Sequence, residues 1–137
     1  MKIKTVYPNN VGWFEIKLDE VYMKHLWDCI KNPVSDHKSK LAGNISKSQL
    51  INDKNNFFFD EVLLPACHKY VEKFKSVPVK ELPVSERHEI YLSTMWVNYQ
   101  KQTEFNPRHH HTGIYSFVVW MKIPTNFEDQ RKLKIAE

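Results

Sequence analysis

The spacing of apolar residues predicts helices in the first half of the chain. One helix is predicted after Asp19, a residue type favoured at helix N-caps, and should end at Asn32-Pro33. A second is predicted over residues 57–75, where Pro65 predicts a kink or two shorter pieces. Residues 11–18, which precede both helices, alternate between apolar and charged positions and so predict a half-buried strand.

Strand-like patterns dominate the second half. Residues 88–101 have the side-chain pattern of a strand. Residues 114–123 form an apolar run that ends at Pro124 and is expected to be a strand buried on both faces or nearly so. The polar residues 33–49 and the proline-containing stretch 76–85 are predicted connections. In the strand within 88–101, one face would carry Trp96, Asn98 and Gln100, and the other Val97 and Tyr99.

The order of these elements and the composition indicate the fold class. Helices precede strands without βαβ alternation, which predicts an α+β or helix-decorated all-β fold. At 137 residues the chain is expected to be a single domain, residues 1–137. A hydrophobic content of 42% supports a packed core, and a formal charge of +4 from scattered basic residues argues against a nucleic-acid groove.

Cysteine usage and the N-terminal segment bear on the cellular compartment. Cys29 and Cys67 are the two cysteines, and their spacing gives no Cys-x-x-Cys zinc pair. One disulfide is compatible with the sequence, but two free thiols in a reducing cytoplasm are the simpler interpretation. The N-terminus lacks the apolar region of a signal peptide, and no apolar run approaches a membrane span. These features predict a soluble cytoplasmic protein without membrane contact.

Candidate chemistry lies just before the apolar run 114–123, where three histidines are consecutive. At the start of a strand, His109 and His111 would project from one face and His110 from the other. Two imidazoles on one face can bind one iron, zinc, copper or nickel ion. Two alternatives stay open: a solvated loop after the Asn106-Pro107 turn, and a cluster that titrates near neutral pH without binding anything.

A longer segment around these histidines resembles a known family. Residues 96–124, with the central motif Asn106-Pro-x-His-x-His-x-Gly113, resemble 2-oxoglutarate/Fe(II)-dependent oxygenases, which are common in marine phages and distantly similar to prolyl hydroxylases. The segment Leu41-Ala-Gly-Asn-Ile45 and the helix from Phe57 to Phe74 also resemble that family. The resemblance covers the chain from about Leu41 to Pro124, and the central motif is its most specific part.

This resemblance implies a fold and a chemistry. The fold would be a double-stranded β-helix, or jelly roll, with the N-terminal helices packed on one side. The cofactors would be Fe(II) and 2-oxoglutarate, with His109 and His111 as catalytic metal ligands. A contact from the Tyr99 hydroxyl to 2-oxoglutarate is a further hypothesis, and core packing of Tyr99 is its alternative. The activity would be hydroxylation of an unidentified substrate in the cytoplasm of a phage-infected cell.

The sequence departs from the family pattern in two ways. His111 stands where the wider superfamily has a carboxylate, so the 2-His-1-carboxylate iron site is not present in its usual form. No histidine follows His111, and Arg131 is the only later arginine. The C-terminal half of the fold is therefore expected to be missing, or a homodimer is expected to cover the exposed sheet.

Three functions remain open on these residues. The first is the 2-oxoglutarate/Fe(II) oxygenase, which would act as an enzyme if missing strands or a partner chain complete it. The second is a cupin-like metal-binding barrel that does not use 2-oxoglutarate. The third is a noncatalytic metal-binding or interaction module derived from the oxygenase fold, which the missing acid and the missing later strands favour.

Overall fold

A small antiparallel sheet organises the described part of the chain. The computed structural model describes residues 12–74, 89–111, 113–124 and 126–132. Its sheet has three strands in the order β1–β2–β3, and each neighbouring pair is antiparallel. The strands are β1 at Ser35–Asp36, β2 at Lys47–Ile51 and β3 at Met95–Tyr99.

Helices and turns flank this sheet in sequence, and together they confirm a mixed α+β fold. The helices are α1 at Glu20–Lys31, α2 at Leu64–Phe74 and α3 at Phe127–Arg131. Short 3-10 turns lie at Lys38–Lys40 and Lys54–Asn56, and a π-helical turn lies at Phe59–Leu63. None of the described helices is long and apolar enough to cross a membrane.

The first helix begins and ends where the sequence predicts. Asp19 occupies the N-cap position with extended dihedral angles, φ −74° and ψ 160°. Its carbonyl oxygen accepts hydrogen bonds from the backbone N–H groups of Tyr22 and Met23, both at 3.1 Å, whereas its carboxylate makes no capping bond. The backbone rather than the side chain therefore sets the start of α1.

The predicted interruption at Pro65 is confirmed as a change of helix type. The π-helical turn Phe59–Leu63 runs directly into α2, which begins at Leu64. Pro65 has no N–H to donate to the carbonyl four residues earlier, so the regular ladder of α-helical hydrogen bonds is interrupted there. The wider turn just before the proline accommodates that gap.

One face of the sheet packs against α1 and forms the core. Strand side chains alternate between the two faces, so Met95, Val97 and Tyr99 share the core face and Trp96 and Asn98 share the other. This division of β3 matches the alternation predicted within residues 88–101, although the strand is shorter than predicted. The buried cluster consists of Leu26, Cys29, Ile30, Ile51, Phe58 and Met95.

The predicted connection 33–49 is wrong, because it contains β1 and most of β2. Residues of β2 occupy the centre of the sheet, pairing with β1 on one side and β3 on the other. Ser48 is fully buried there, and its hydroxyl donates to Asn98 Oδ1 at 2.7 Å. A hydrogen-bonded serine can be buried at low cost, so its polarity concealed the strand from a hydrophobic pattern.

Two predicted strands are absent from the described residues. No regular secondary structure forms at 12–18, and none forms at 114–123. The second segment is not buried on both faces either, since Val118 is 73% exposed and Trp120 is 74% exposed. Strand propensity forms a strand only when a neighbouring strand completes the hydrogen bonds, and neither segment has one in the described regions.

A buried carboxylate fixes the start of the second helical region. Asn55 and Asn56 adopt left-handed backbone angles, with φ of 59° and 53°, which turn the chain back over Asp53. Asp53 then accepts hydrogen bonds from the backbone N–H groups of Phe58 at 3.1 Å and Phe59 at 2.7 Å. These N–H groups have no partner within their own helix, so the carboxylate satisfies them.

Replacing Asp53 with alanine should lower the free energy of unfolding by about 2–4 kcal/mol, because two N–H groups at a buried helix start lose their acceptor. Urea denaturation measures this change. The matched control is Asp28→Ala, since the Asp28–Lys31 pair is exposed and 3.4 Å long, and its loss should change stability by less than about 0.5 kcal/mol. Equal losses in the two variants would contradict the assignment.

Candidate metal centre

The two predicted metal-binding histidines are brought together in the structure. His109 and His111 lie on an irregular segment rather than on a strand, yet their Nε2 atoms are 3.1 Å apart. The ring centroids are 4.7 Å apart and the ring planes are inclined at 70°. Both side chains are exposed, so an ion could reach the two nitrogens without any opening of the core.

The separation of these nitrogens suits one transition-metal ion. If each nitrogen lies about 2.1 Å from an ion, a 3.1 Å separation corresponds to a nitrogen–metal–nitrogen angle of about 95°. That angle is close to the right angle between adjacent ligands of an octahedral ion. The histidine pair therefore fits two adjacent coordination positions of Fe(II).

The ring orientation of His109 is fixed by the backbone. Its Nδ1 lies 2.7 Å from the carbonyl oxygen of Pro107, which can only accept, so Nδ1 carries the proton and donates it. The Nε2 lone pair of His109 then points away from this bond. Metal-bound histidines usually donate their second ring nitrogen in this way, and the bond holds the tautomer and the ring direction.

A plain hydrogen bond explains the same short distance. With Nδ1 of His109 protonated, its Nε2 is an acceptor, and His111 can donate a proton from its own Nε2 across the 3.1 Å gap. A metal ion would replace that single proton. The arrangement thus has two occupants that compete, a proton and a cation, and both use the same two nitrogen atoms.

Two sequence segments that carry the family resemblance meet beside the histidines. Asn44 and Phe105 form an antiparallel bridge, with backbone hydrogen bonds of 2.9 and 3.3 Å between them. Gly43 lies against the Asn106 side chain so closely that a β-carbon at position 43 would collide with the Asn106 side-chain oxygen. The Leu41–Ile45 segment therefore anchors the chain just before Pro107 and His109.

A glutamate reinforces the same junction. Glu104 accepts hydrogen bonds from the backbone N–H of Ser46 at 3.0 Å and of Lys101 at 2.8 Å. The hydrogen bond from Lys101, followed by that from Ser46, lowers the pKa of the Glu104 carboxyl, because each bond favours the charged form. The ionised carboxylate thus ties the turn before the histidines to the start of β2.

His111 is held by the sheet rather than by its own segment. Its ring stacks on Trp96 of β3, with centroids 6.0 Å apart and planes inclined at 29°. Trp96 also contacts the buried His37, whose ring centroid is 5.5 Å away. Trp96 lies on the sheet face opposite α1, so the histidine pair contacts that face through His111.

Tyr99 is not brought together with the histidines. It follows the alternation of β3 onto the face that packs on the core, whereas Trp96 and its contact to His111 lie on the other face. The Lys47 ammonium lies 4.3 Å from the centre of the Tyr99 ring. These contacts favour the packing role for Tyr99, and its contact with 2-oxoglutarate stays a prediction.

The described residues supply two ligands at this position. No third histidine, cysteine or acidic side chain in the described ranges completes a group of three with His109 and His111. Two imidazoles fit part of an iron site, and the carboxylate that the resemblance requires is not among these neighbours.

A different group of three forms between α1 and the turn at Asp53. His25 Nε2 lies 2.6 Å from Asp53 Oδ1, and Cys29 Sγ lies 3.5 Å from the same nitrogen. Two ligands of one ion at about 2.1 Å are themselves about 2.9 Å or more apart, so 2.6 Å fits a hydrogen bond better than shared coordination. We therefore interpret His25 and Asp53 as a structural pair.

This group is also unsuited to nucleophilic catalysis. Burial, followed by the negative charges of Asp53 and Asp28, raises the pKa of the Cys29 thiol, so the unreactive protonated form is favoured. Both Asp53 and Cys29 approach the same His25 nitrogen, so the imidazole cannot relay a proton between them through its two nitrogens. Cys29 and Cys67 are both free.

The sequence contained part of the signal for this buried group. His25 and Cys29 are four residues apart on a correctly predicted helix, so their proximity could have been inferred. The approach of Asp53 could not be inferred, because it is 28 residues from His25 and meets it only through the tertiary fold. An open depression of about 500 Å³ adjoins His25 and lies apart from the residues around His109 and His111.

Comparisons with known proteins add no assignment to this geometry. No family model matches the chain, and no curated protein or solved structure matches it. The interpretation of the histidine pair therefore depends on its own contacts and on the resemblance of its motif.

The lowered pKa of Glu104 predicts a pH dependence of stability. Because the folded-state pKa lies below the ordinary value, the contribution is present above the ordinary glutamate pKa and is lost as pH falls through the folded pKa. The stability difference between the parent and Glu104→Gln should therefore shrink as acid is added below about pH 4.5. Urea titrations of both chains at several pH values test this, and a constant difference would contradict it.

Proposed function

We propose that this chain binds Fe(II) through His109 and His111 and acts as a 2-oxoglutarate-dependent oxygenase with a jelly-roll fold. The observation that carries the proposal is the 3.1 Å separation of the two Nε2 atoms, with His109 oriented by the Pro107 carbonyl. The proximity of the Leu41–Ile45 and Asn106–Pro107 segments supports it further, since both segments belong to the family pattern.

The residues present would play defined parts in this activity. His109 and His111 would hold the metal, and the His109 Nδ1–H would donate to the Pro107 carbonyl oxygen throughout. The Trp96 ring, on the face of β3 opposite α1, would form one wall of the site. When bound, Fe(II) and 2-oxoglutarate supply oxygen activation coupled to oxidative decarboxylation of the co-substrate, which leaves succinate.

The second candidate is a noncatalytic metal-binding module. It is favoured by the absence, among neighbours in the described residues, of an acidic side chain that completes the pair. Such a module would bind the ion through the same two nitrogens and would leave 2-oxoglutarate unchanged.

An anaerobic titration separates these functions. A tag-free preparation is mixed with Fe(II) and then 2-oxoglutarate, and the visible charge-transfer band is recorded before oxygen is admitted and succinate is measured. The oxygenase should give both signals, whereas the module should bind Fe(II) without succinate. His109→Ala and His111→Ala should each weaken Fe(II) binding at least about 10-fold.

The matched control is His68→Ala, which removes an exposed histidine on α2 and should leave Fe(II) binding unchanged. Fe(II) binding that survives both His109→Ala and His111→Ala would overturn the metal site itself. Binding without succinate in the parent would overturn only the oxygenase.

The proposal also includes a homodimer across the apolar segment 114–123. Val118 and Trp120 point outward and are largely exposed, whereas Val119 and Met121 pack on the core. In the described part of this segment, the one backbone hydrogen bond runs from Met121 N to Val119 O at 3.1 Å. A second copy paired along the segment would cover the apolar side chains and satisfy the free backbone groups.

Sedimentation at micromolar concentrations tests this dimer. The parent should sediment as a dimer and Trp120→Lys as a monomer, because a lysine at the centre of the apolar face opposes its burial. The control is Val34→Lys, which places a lysine at an apolar residue that is 61% exposed and lies outside this segment. It should leave the dimer intact. A monomeric parent, or a dimeric Trp120→Lys, would rule out this interface.

A further inference from the structure

Trp96 links the sheet to the candidate metal centre. It stands on β3, whose register with β2 is fixed over five residue pairs, including Trp96 opposite Leu50. Its side chain is half-buried, and its ring contacts His111 at 6.0 Å between centroids. Because His111 lies on a segment without regular secondary structure, this ring contact connects it to the regular part of the fold.

The other side of this connection is buried. His37 is 8% exposed, and its ring lies 5.5 Å from Trp96 with the planes inclined at 33°. The backbone N–H of His37 donates to the Ser48 carbonyl at 3.0 Å, which extends the pairing of β1 and β2 by one position. His37 therefore belongs to the sheet and restricts the rotamer that Trp96 can adopt.

The two metal-binding candidates are thus held by different means. His109 is oriented by a hydrogen bond to Pro107, a residue of its own segment. Among the described contacts, His111 has only ring contacts, to Trp96 and to His109, and the 3.1 Å contact to His109 Nε2. A metal ion bound to both Nε2 atoms would replace the direct contact between them. The ring contact with Trp96 would then fix the plane of His111.

We propose that Trp96 is a positioning residue that holds the His111 imidazole in the plane required for metal binding, with His37 as its buried support. This inference rests on the proposed metal site and names a determinant of its affinity. Supporting groups around a bound metal contribute roughly 10- to 100-fold to affinity, because they prevent ligands from rotating out of place.

Isothermal titration of tag-free chains with Co(II), a stable stand-in for Fe(II), measures that contribution. Trp96→Leu should bind Co(II) about 10-fold more weakly than the parent. Trp96→Phe keeps an aromatic face for His111 and should recover most of the affinity. Trp13→Leu removes an indole that is 75% exposed and should bind Co(II) like the parent.

A metal-free measurement tests the contact itself. The indole of Trp96 should shift the ring C–H signals of His111 in the proton–carbon NMR spectrum, with the signals assigned through His111→Asn. Trp96→Leu should return these signals towards those of a free histidine and leave those of His68 in place. Folding of each variant is checked by the dispersion of the same spectrum.

The outcomes separate the two proposals. Unshifted His111 signals in the parent, or signals that Trp96→Leu does not move, overturn the contact. A moved signal with unchanged Co(II) affinity overturns the positioning role alone and leaves the metal site standing. A parent that does not bind Co(II) overturns the proposed function, and with it the role given to Trp96, even where the NMR contact persists.

Discussion

The pairing of β2 with β3 is the constraint on which the described structure depends. It aligns Lys47–Ile51 with Met95–Tyr99 and separates two sets of side chains by alternation. One set, including Ile51 and Met95, meets α1 in the core. The other set includes Trp96, which contacts the histidine segment. A shift of one residue in this pairing would exchange the two sets, so core packing and the candidate metal centre depend on one register.

Sequence patterns predicted the helices better than the strands, for a physical reason. The hydrogen bonds of α1 are local, so its apolar spacing and the limits at Asp19 and Asn32-Pro33 were sufficient. A strand depends on a distant partner. Polar β2 was missed because Ser48 is buried through a bond to Asn98, 50 residues away. The apolar segment 114–123 was wrongly predicted to be a strand, because no described strand lies beside it.

The candidate metal centre was predictable in part for the same reason. The two-residue spacing of His109 and His111 was enough to predict that their side chains lie close together. They do lie close together, although on an irregular segment and not on a strand. The contacts that position the two histidines could not be predicted from sequence spacing. Asn44 pairs with Phe105, and Trp96 contacts His111, only through the tertiary fold. Leu41–Ile45 and the histidine motif both resemble the same family, but that resemblance did not predict their contact.

His25 and the pair His109 and His111 lie in different environments, and this difference favours different roles for them. His25 lies beside a carboxylate whose side chain is 1% exposed, and that carboxylate also binds the start of a helical region. Removing such a partner disturbs the fold, so this histidine serves stability. His109 and His111 are exposed, so a ligand can approach their Nε2 atoms without any opening of the core.

The exposure of His109 and His111 has a consequence for how an ion would be exchanged. A metal enclosed in a core enters during folding and leaves only when the core opens. Here both imidazoles are exposed in the folded chain, so under the proposed function loading and release would proceed at the surface. Occupancy would then follow the free metal concentration around the protein from moment to moment, rather than being set once when the chain folds.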